Sequence, residues 1–243
     1  MSSARRDRAR ERAHPGVRER VRGERNEAID RQAGRPPRLL IATRSTHKLA
    51  ELRELLALDR AELVSLDDLG VAGDVDETGS TFEANARLKA RHGALLSGLP
   101  TLADDSGLEV DALAGGPGVR TRRYAGENAT DAENNTKLLG ALAGLPPEQR
   151  QARYVCVLAL ALPDEAGPRG GLPMRLVRGT CRGRISLAPR GSGGFGYDPI
   201  FEPASEPPGG RTLGEWSQAA KNAISHRGIA ARRIRPVLRD LGF

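Results

Sequence analysis

The sequence predicts an α/β fold built on a mixed β-sheet, on three observations. From residue 39 onward, short apolar runs alternate with amphipathic stretches in the order strand, helix, strand, which is the pattern of a parallel βαβ unit. Two Ser/Thr-x-x-Glu tetrads, Ser80–Glu83 and Thr130–Glu133, open helical stretches further along. A long apolar run, Gln151 to Leu162, is followed by a second strand-like run, Arg175 to Ile185, across a Gly-containing stretch. That hairpin interrupts the parallel units and makes the sheet mixed.

Taken in order, residues 1–37 mix Arg, Glu, Asp, Gly and Pro without an apolar stripe, and read as a disordered Arg-rich arm ended by Pro36-Pro37. A folded domain is expected over residues 38–243. Leu39–Ala42 reads as a strand, Thr43–Lys48 as a turn, and Leu49–Leu58 as a helix with Leu49, Leu52, Leu55 and Leu56 on one face. Ala61–Leu66 is the next strand, followed by an acidic loop over 67–79. Ser80–Glu83 reads as a capping box opening a helix to about Leu96. Ala103-Asp-Asp-Ser-Gly107 lies between two apolar runs and reads as a strand ending in a turn, with Gly107 allowing the bend. Thr130–Glu133 opens a helix to Ala143. The hairpin loop is placed at Gly167–Gly171, a Gly-rich loop at Gly191–Asp198, and helices at Gln218–Ala223 and from His226 to about Arg239, with Ser225 as N-cap.

Composition excludes several classes. Aromatics are 3% of the 243 residues, so the core rests on Leu, Val, Ile and Ala. No apolar run is long enough to cross a membrane and the charged start lacks a signal-peptide segment. Cys156 and Cys181 have no C-x-x-C spacing, which argues against a disulfide framework or a zinc site and makes a reducing cytoplasm the expected compartment. The net charge of +7 is local: residues 1–38 hold twelve Arg against six Asp/Glu, while the remainder holds 26 basic and 25 acidic residues. The body is therefore unlike a nucleic-acid-binding domain, and the arm is the sole candidate for such a contact.

Several stretches carry chemistry. Asp104 and Asp105 repel each other unless something positive compensates. Mg²⁺ does so well, binding one or two protein carboxylates plus phosphate and water oxygens. Glu77 in the acidic loop is a candidate third ligand, and Ser106 adds a hydroxyl. Thr43, Arg44, Ser45, Thr46, His47 and Lys48 lie between a strand end and a helix start, where free N–H groups and a Lys favour an anion. The Walker A pattern is absent. Lys89, on the following helix, reads by itself as a solvated side chain. Phe195-Gly196-Tyr197-Asp198 sets a flat ring beside a carboxylate in a Gly-rich loop, which suits a nucleobase, although aromatics in a loop also serve as anchors on the core. Lys221, His226 and Arg227 offer donors around a helix junction. Only four of the 38 basic residues are lysines, and three of these, Lys48, Lys89 and Lys221, fall in these stretches.

Five blocks together resemble the inosine/xanthosine triphosphate pyrophosphatase family, the non-canonical purine NTP pyrophosphatases. They are T-R-S-T-H-K-L-A-E-L, E-T-G-S-T-F-E-A-N-A-x-x-K-A, A-D-D-S-G-L-x-V-D-A-L-x-G-x-P-G-V, G-x-G-G-F-G-Y-D-P-I-F and K-N-A-I-S-H-R-G-x-A, spread in family order over residues 39–235. The resemblance implies an elongated α/β fold, a mixed sheet flanked by helices, with two lobes around a central cleft, usually as a homodimer. It implies Mg²⁺-dependent hydrolysis of ITP, dITP and XTP to the monophosphate and pyrophosphate. By position, Lys48 and the residues around it would hold the triphosphate, Ser106 would contact phosphate and Lys89 would face the phosphates. Glu77 and Asp105 would bind the metal, with Asp105 also the proton acceptor and Asp104 in support. Phe195 to Asp198, Lys221, His226 and Arg227 would form the base pocket. The sequence departs from the family pattern at Ser45, where Asn is usual, and at Arg120 and Arg122, where small or aromatic residues are usual. The related Maf-type pyrophosphatases share the reaction class, but the S-H-R and F-G-Y-D blocks argue against them.

Overall fold

Strand β1 (Arg38–Ile41) lies inside the sheet, parallel to both β2 (Glu62–Ser65) and β3 (Thr101–Val110), so the predicted βαβ start of the domain is present. The computed structural model describes residues 35–73, 75–163 and 172–243. The arm up to residue 34 and the proposed hairpin loop at Gly167–Gly171 lie outside them. Beyond β3 come β4 (Gln151–Ala161), β5 (Met174–Ile185) and β6 (Phe201–Pro203), each antiparallel to its predecessor, giving one sheet of order β2-β1-β3-β4-β5-β6. The mixed α/β architecture is thus as expected. Strand β6 has no counterpart in the sequence reading: its three residues are too few to show alternation.

Helix α1 (Thr46–Leu56) begins three residues before its apolar face does, because the Ser45 hydroxyl accepts from the Lys48 N–H at 3.3 Å and caps it. Of the Thr43–Lys48 stretch expected to form a turn, Thr46–Lys48 are therefore the first helical turn. Helix α2 (Phe82–Ser97) is capped by Thr81, not Ser80: Thr81 Oγ1 accepts from the Ala84 N–H. The expected capping box at Ser80–Glu83 is absent, because the Glu83 carboxylate pairs instead with Arg178 on β5 at 2.8 Å. Helix α3 (Asp131–Ala141) has the reciprocal box predicted at Thr130 and Glu133. Helices α4 (Gln218–Ile224) and α5 (His226–Asp240) meet at Ser225, whose hydroxyl accepts from the Gly228 N–H at 3.0 Å.

The largest correction concerns Asp104–Gly107. No turn interrupts this stretch: β3 runs straight through it, paired with β4 at every residue from Thr101 to Val110. Gly107 serves close packing instead of a bend. A Cβ there would lie 2.4 Å from Thr121 Oγ1 and 2.7 Å from the Gly118 carbonyl oxygen, so only glycine lets the 118–123 turn seat against the strand.

Side chains alternate along β3. Leu102 packs with α1 and α5, and Leu108 with α3 and the loop around Tyr197. Between these two apolar clusters on the same face sit Asp104 and Ser106, both bonded to Arg227 of α5. Ala103 packs on the opposite face beneath α2, with Phe82, Ala86 and Ala90. Cys156 and Cys181 are free and buried. No helix among the described residues is long and apolar enough to cross a membrane.

Candidate active site

Because β3 is a continuous strand, its two adjacent carboxylates point to opposite faces of the sheet. Asp104 is fully buried toward α1 and α5. Its Oδ1 lies 2.5 Å from Lys48 Nζ and accepts from Ser106 Oγ at 3.0 Å; its Oδ2 accepts from Arg227 Nε at 3.2 Å and from Cys156 Sγ at 3.0 Å. Burial alone would raise the Asp104 carboxyl, but Arg227 and then Lys48 outweigh it and hold it well below the usual carboxylate range. It is a permanent anion with two cations attached.

Asp105 faces α2. Lys89 Nζ lies 2.7 Å from Asp105 Oδ1 and 3.1 Å from Glu77 Oε1, so one ammonium is shared by two carboxylates from different elements. Burial pushes the Asp105 carboxyl up against the pull of Lys89, and Glu77 adds to the rise. Burial works to lower the Lys89 ammonium, but Asp105 and Glu77 reverse it, so Lys89 stays charged. Glu77 reaches this point because its loop is tied to α2: the Gly79 N–H donates to Asn85 Oδ1 at 2.8 Å. Two hard carboxylates converging on one cation, open to further oxygen ligands, match the way Mg²⁺ binds with a polyphosphate. Among the described residues no group of three or more His, Cys, Asp and Glu could hold a metal by itself, and Asp104 faces away from this pair.

The predicted base-pocket residues gather on the Asp104 face. Phe195 sits with its ring centroid 5.4 Å from that of His47, 4.7 Å from Lys221 Nζ and 5.7 Å from Arg227 Cζ. Asp198 is buried; its Oδ2 accepts from the Phe195 N–H at 3.0 Å and from Lys221 Nζ at 2.8 Å. Burial raises the Asp198 carboxyl despite Lys221. The side chain holds the loop and the lysine in register, which uses the oxygen that the sequence reading offered to a base. Tyr197 is turned into the core and donates to the Thr121 carbonyl at 2.8 Å, so of the two aromatics it is the anchor and Phe195 is the free ring. Gly196 is fastened to α3 at both ends: its N–H donates to Asp131 and its carbonyl accepts from Asn135. His226 is buried, its Nδ1 without a partner. Burial, reinforced by Arg227, keeps its imidazole neutral far below the usual range. A buried, unpartnered ring nitrogen among base-pocket residues fits a ligand that completes it.

The first block divides. Lys48 enters the centre and His47 borders Phe195, while Ser45 is the cap and Thr46 is exposed in the first turn. Thr43 Oγ1 accepts from the Ser45 N–H. Arg44 braces the loop that follows β2, pairing with Asp67 and donating to the carbonyls of Val71 and Gly73. Glu51 was missed. One turn beyond Lys48, its Oε1 accepts from Lys221 Nζ at 3.0 Å and from Gln218, and its Oε2 from Arg227 Nη1 at 2.5 Å. Burial opposes its charge, but Arg227 and Lys221 win and lower its carboxyl. The only signal was its place inside the T-R-S-T-H-K-L-A-E-L block, where a helical Glu reads as solvated.

The Ham1 family profile matches residues 39–237. The chain is 48% identical over 196 residues to a dITP/XTP pyrophosphatase of Geobacillus kaustophilus, an alignment covering 81% of this chain and 91% of that one. It is 47% identical over 231 residues to a dITP/XTP pyrophosphatase of an Anaeromyxobacter species, covering 84% and 97%. A solved Ham1 protein from Coxiella burnetii superposes with a TM-score of 0.74 at 43% identity, over 84% of this chain and 99% of that one. One from Staphylococcus aureus gives 0.73 at 35% identity, with the same coverage. With the family profile spanning nearly all of the folded body and relatives at 47% and 48% identity, this chain belongs to the Ham1 family.

Proposed function

We propose that this protein hydrolyses non-canonical purine nucleoside triphosphates (dITP, ITP and XTP) to the monophosphate and pyrophosphate, with Mg²⁺ as cofactor, and that it works as a homodimer. The observation that carries the reading is the division of Asp104 and Asp105 between two faces of one strand. One carboxylate is locked to Lys48 and Arg227 beside the Phe195 loop; the other shares a cation with Glu77. Two charge networks, Lys48–Asp104–Arg227 and Glu77–Lys89–Asp105, thus meet at one peptide unit. The names of the relatives, the motif blocks and the assembly usual for the family support the rest.

In this reading Glu77 and Asp105 hold the metal. Mg²⁺ held there would supply positive charge to the phosphates and to the departing pyrophosphate. Lys48 turns from Asp104 to a phosphate oxygen, and Asp104 stays neutralised by Arg227. Lys89 remains beside Asp105 and faces the phosphates. Asp105, its basicity raised by burial, orients and deprotonates the attacking water. Ser106 contacts phosphate. Phe195 stacks on the purine. His226 and Arg227 donate to its 6-oxo group, a pairing that penalises adenine, whose 6-amino group is itself a donor. Arg227 uses one donor each on Asp104, Glu51 and Ser106, which leaves others of a guanidinium's five for the base. The test is pyrophosphate release from dITP and XTP beside dGTP and ATP, with and without Mg²⁺. Release from dITP and XTP that needs Mg²⁺ and exceeds ATP by at least about tenfold is expected; equal rates on all four would overturn the base assignment.

A further inference from the structure

The two halves of the base pocket come from distant blocks, the Phe195–Asp198 loop and the His226-Arg227 helix start, and one buried side chain touches both. Tyr154 lies on β4, 6% exposed. Its hydroxyl accepts from the Tyr197 N–H at 3.1 Å, in the middle of the loop. Its ring stacks on His226, centroids 4.7 Å apart and planes 7° apart. On another side it meets Phe201 at 4.8 Å and 51°, which fixes the tyrosine ring itself. Lys221 joins the loop to α1, and Arg227 joins α5 to β3 and lies 5.7 Å from the Phe195 ring.

We infer that Tyr154 is a positioning residue for base recognition: through its hydroxyl and its ring face it sets the Phe195 loop and the His226 imidazole in one register. This rests on the proposed base pocket. His226 needs such a support. Its Nδ1 is buried and unpartnered, so no hydrogen bond on that atom holds the ring plane, and the stacked tyrosine does so instead. Backbone packing brings His226 to the ring. At Gly179 on β5 a Cβ would lie 2.0 Å from the His226 carbonyl oxygen, so glycine lets the start of α5 settle onto the sheet. Tyr154 lies two residues from Cys156 on the same strand face, so Asp105, Lys89 and Glu77 lie on the opposite side of the sheet from it.

Two variants separate the contacts. Tyr154→Phe keeps the ring and removes the hydroxyl; Tyr154→Leu removes the stack. Steady-state kinetics are measured on ITP and ATP beside wild type, with melting temperature recorded. For Tyr154→Phe we expect KM for ITP to rise about threefold with kcat within about twofold. For Tyr154→Leu we expect a KM rise of about tenfold or more and a smaller ITP-over-ATP preference. A purely structural role would lower melting temperature and the active fraction, leaving KM and preference unchanged; that result overturns the inference. If Tyr154→Leu does not fold, Tyr154→Phe alone decides, and an unchanged KM overturns it. If wild type shows no preference for ITP, the base pocket itself is misassigned and the inference falls with it, a failure read before any variant is made.

Discussion

Lys89 sits where two carboxylates converge, and it is the residue whose role changes most between sequence and structure. Its ammonium supplies the counter-charge to Glu77 and Asp105. Lys89→Met removes that competitor. Without nucleotide, Mn²⁺ titrated by electron paramagnetic resonance should then bind several-fold tighter than to wild type, since a nearby like charge is gone. Turnover should nonetheless fall by about a hundredfold or more, because a cation facing the phosphates is lost. Weaker Mn²⁺ binding would show that Lys89 organises the carboxylates without competing with the metal. Asp105→Asn removes the proposed metal ligand and proposed base together and should abolish most turnover while the melting temperature holds, since β3 keeps its full pairing.

At the scale of elements, the junction of α4 and α5 matters most. Ser225 closes one helix and caps the next, and His226 and Arg227 are the first two residues of α5. Ser225→Ala should cost about 1 kcal/mol, or about 2–4 °C in melting temperature for a domain of this size. Fraying of that first turn should also raise KM for ITP, a change that calorimetry and kinetics on one preparation would reveal. The capping signals were legible unequally. Thr130 and Glu133 form their box because α3 starts at the surface, where Glu133 has no rival partner. The Ser80–Glu83 pattern was as good on paper, yet Arg178 from β5 claims the Glu83 carboxylate. A long-range partner decides there, and local spacing carries no trace of it.

For the whole molecule, the four core clusters among the described residues and every candidate site residue lie between Leu39 and Phe243. A chain beginning at Pro36 keeps the Pro37 carbonyl, which accepts from the Glu62 N–H at 2.8 Å and joins the start of β1 to β2. That shortened protein should fold and hydrolyse ITP as the full chain does. Loss of activity, or a changed mass by light scattering, would assign the arm a part in the working enzyme.

The α/β class and the family blocks were legible in the sequence, and a candidate site could be outlined from it, because hydrophobic period, capping residues and motif spacing are local properties. It also put three of the four lysines in the stretches proposed to bind substrate. Only the tertiary structure decided how the charges divide. Asp104 and Asp105 are neighbours in sequence, and a turn was the natural reading of Asp-Asp-Ser-Gly. Pairing with β4 holds the stretch extended, and extension sends the two carboxylates to opposite faces. Which cation each then finds depends on α1 and α5 docking on one side and α2 on the other. Glu51 and Tyr154 were hidden for the same reason. Each is an ordinary helix or strand residue until distant elements bring Lys221, Arg227 and His226 against it.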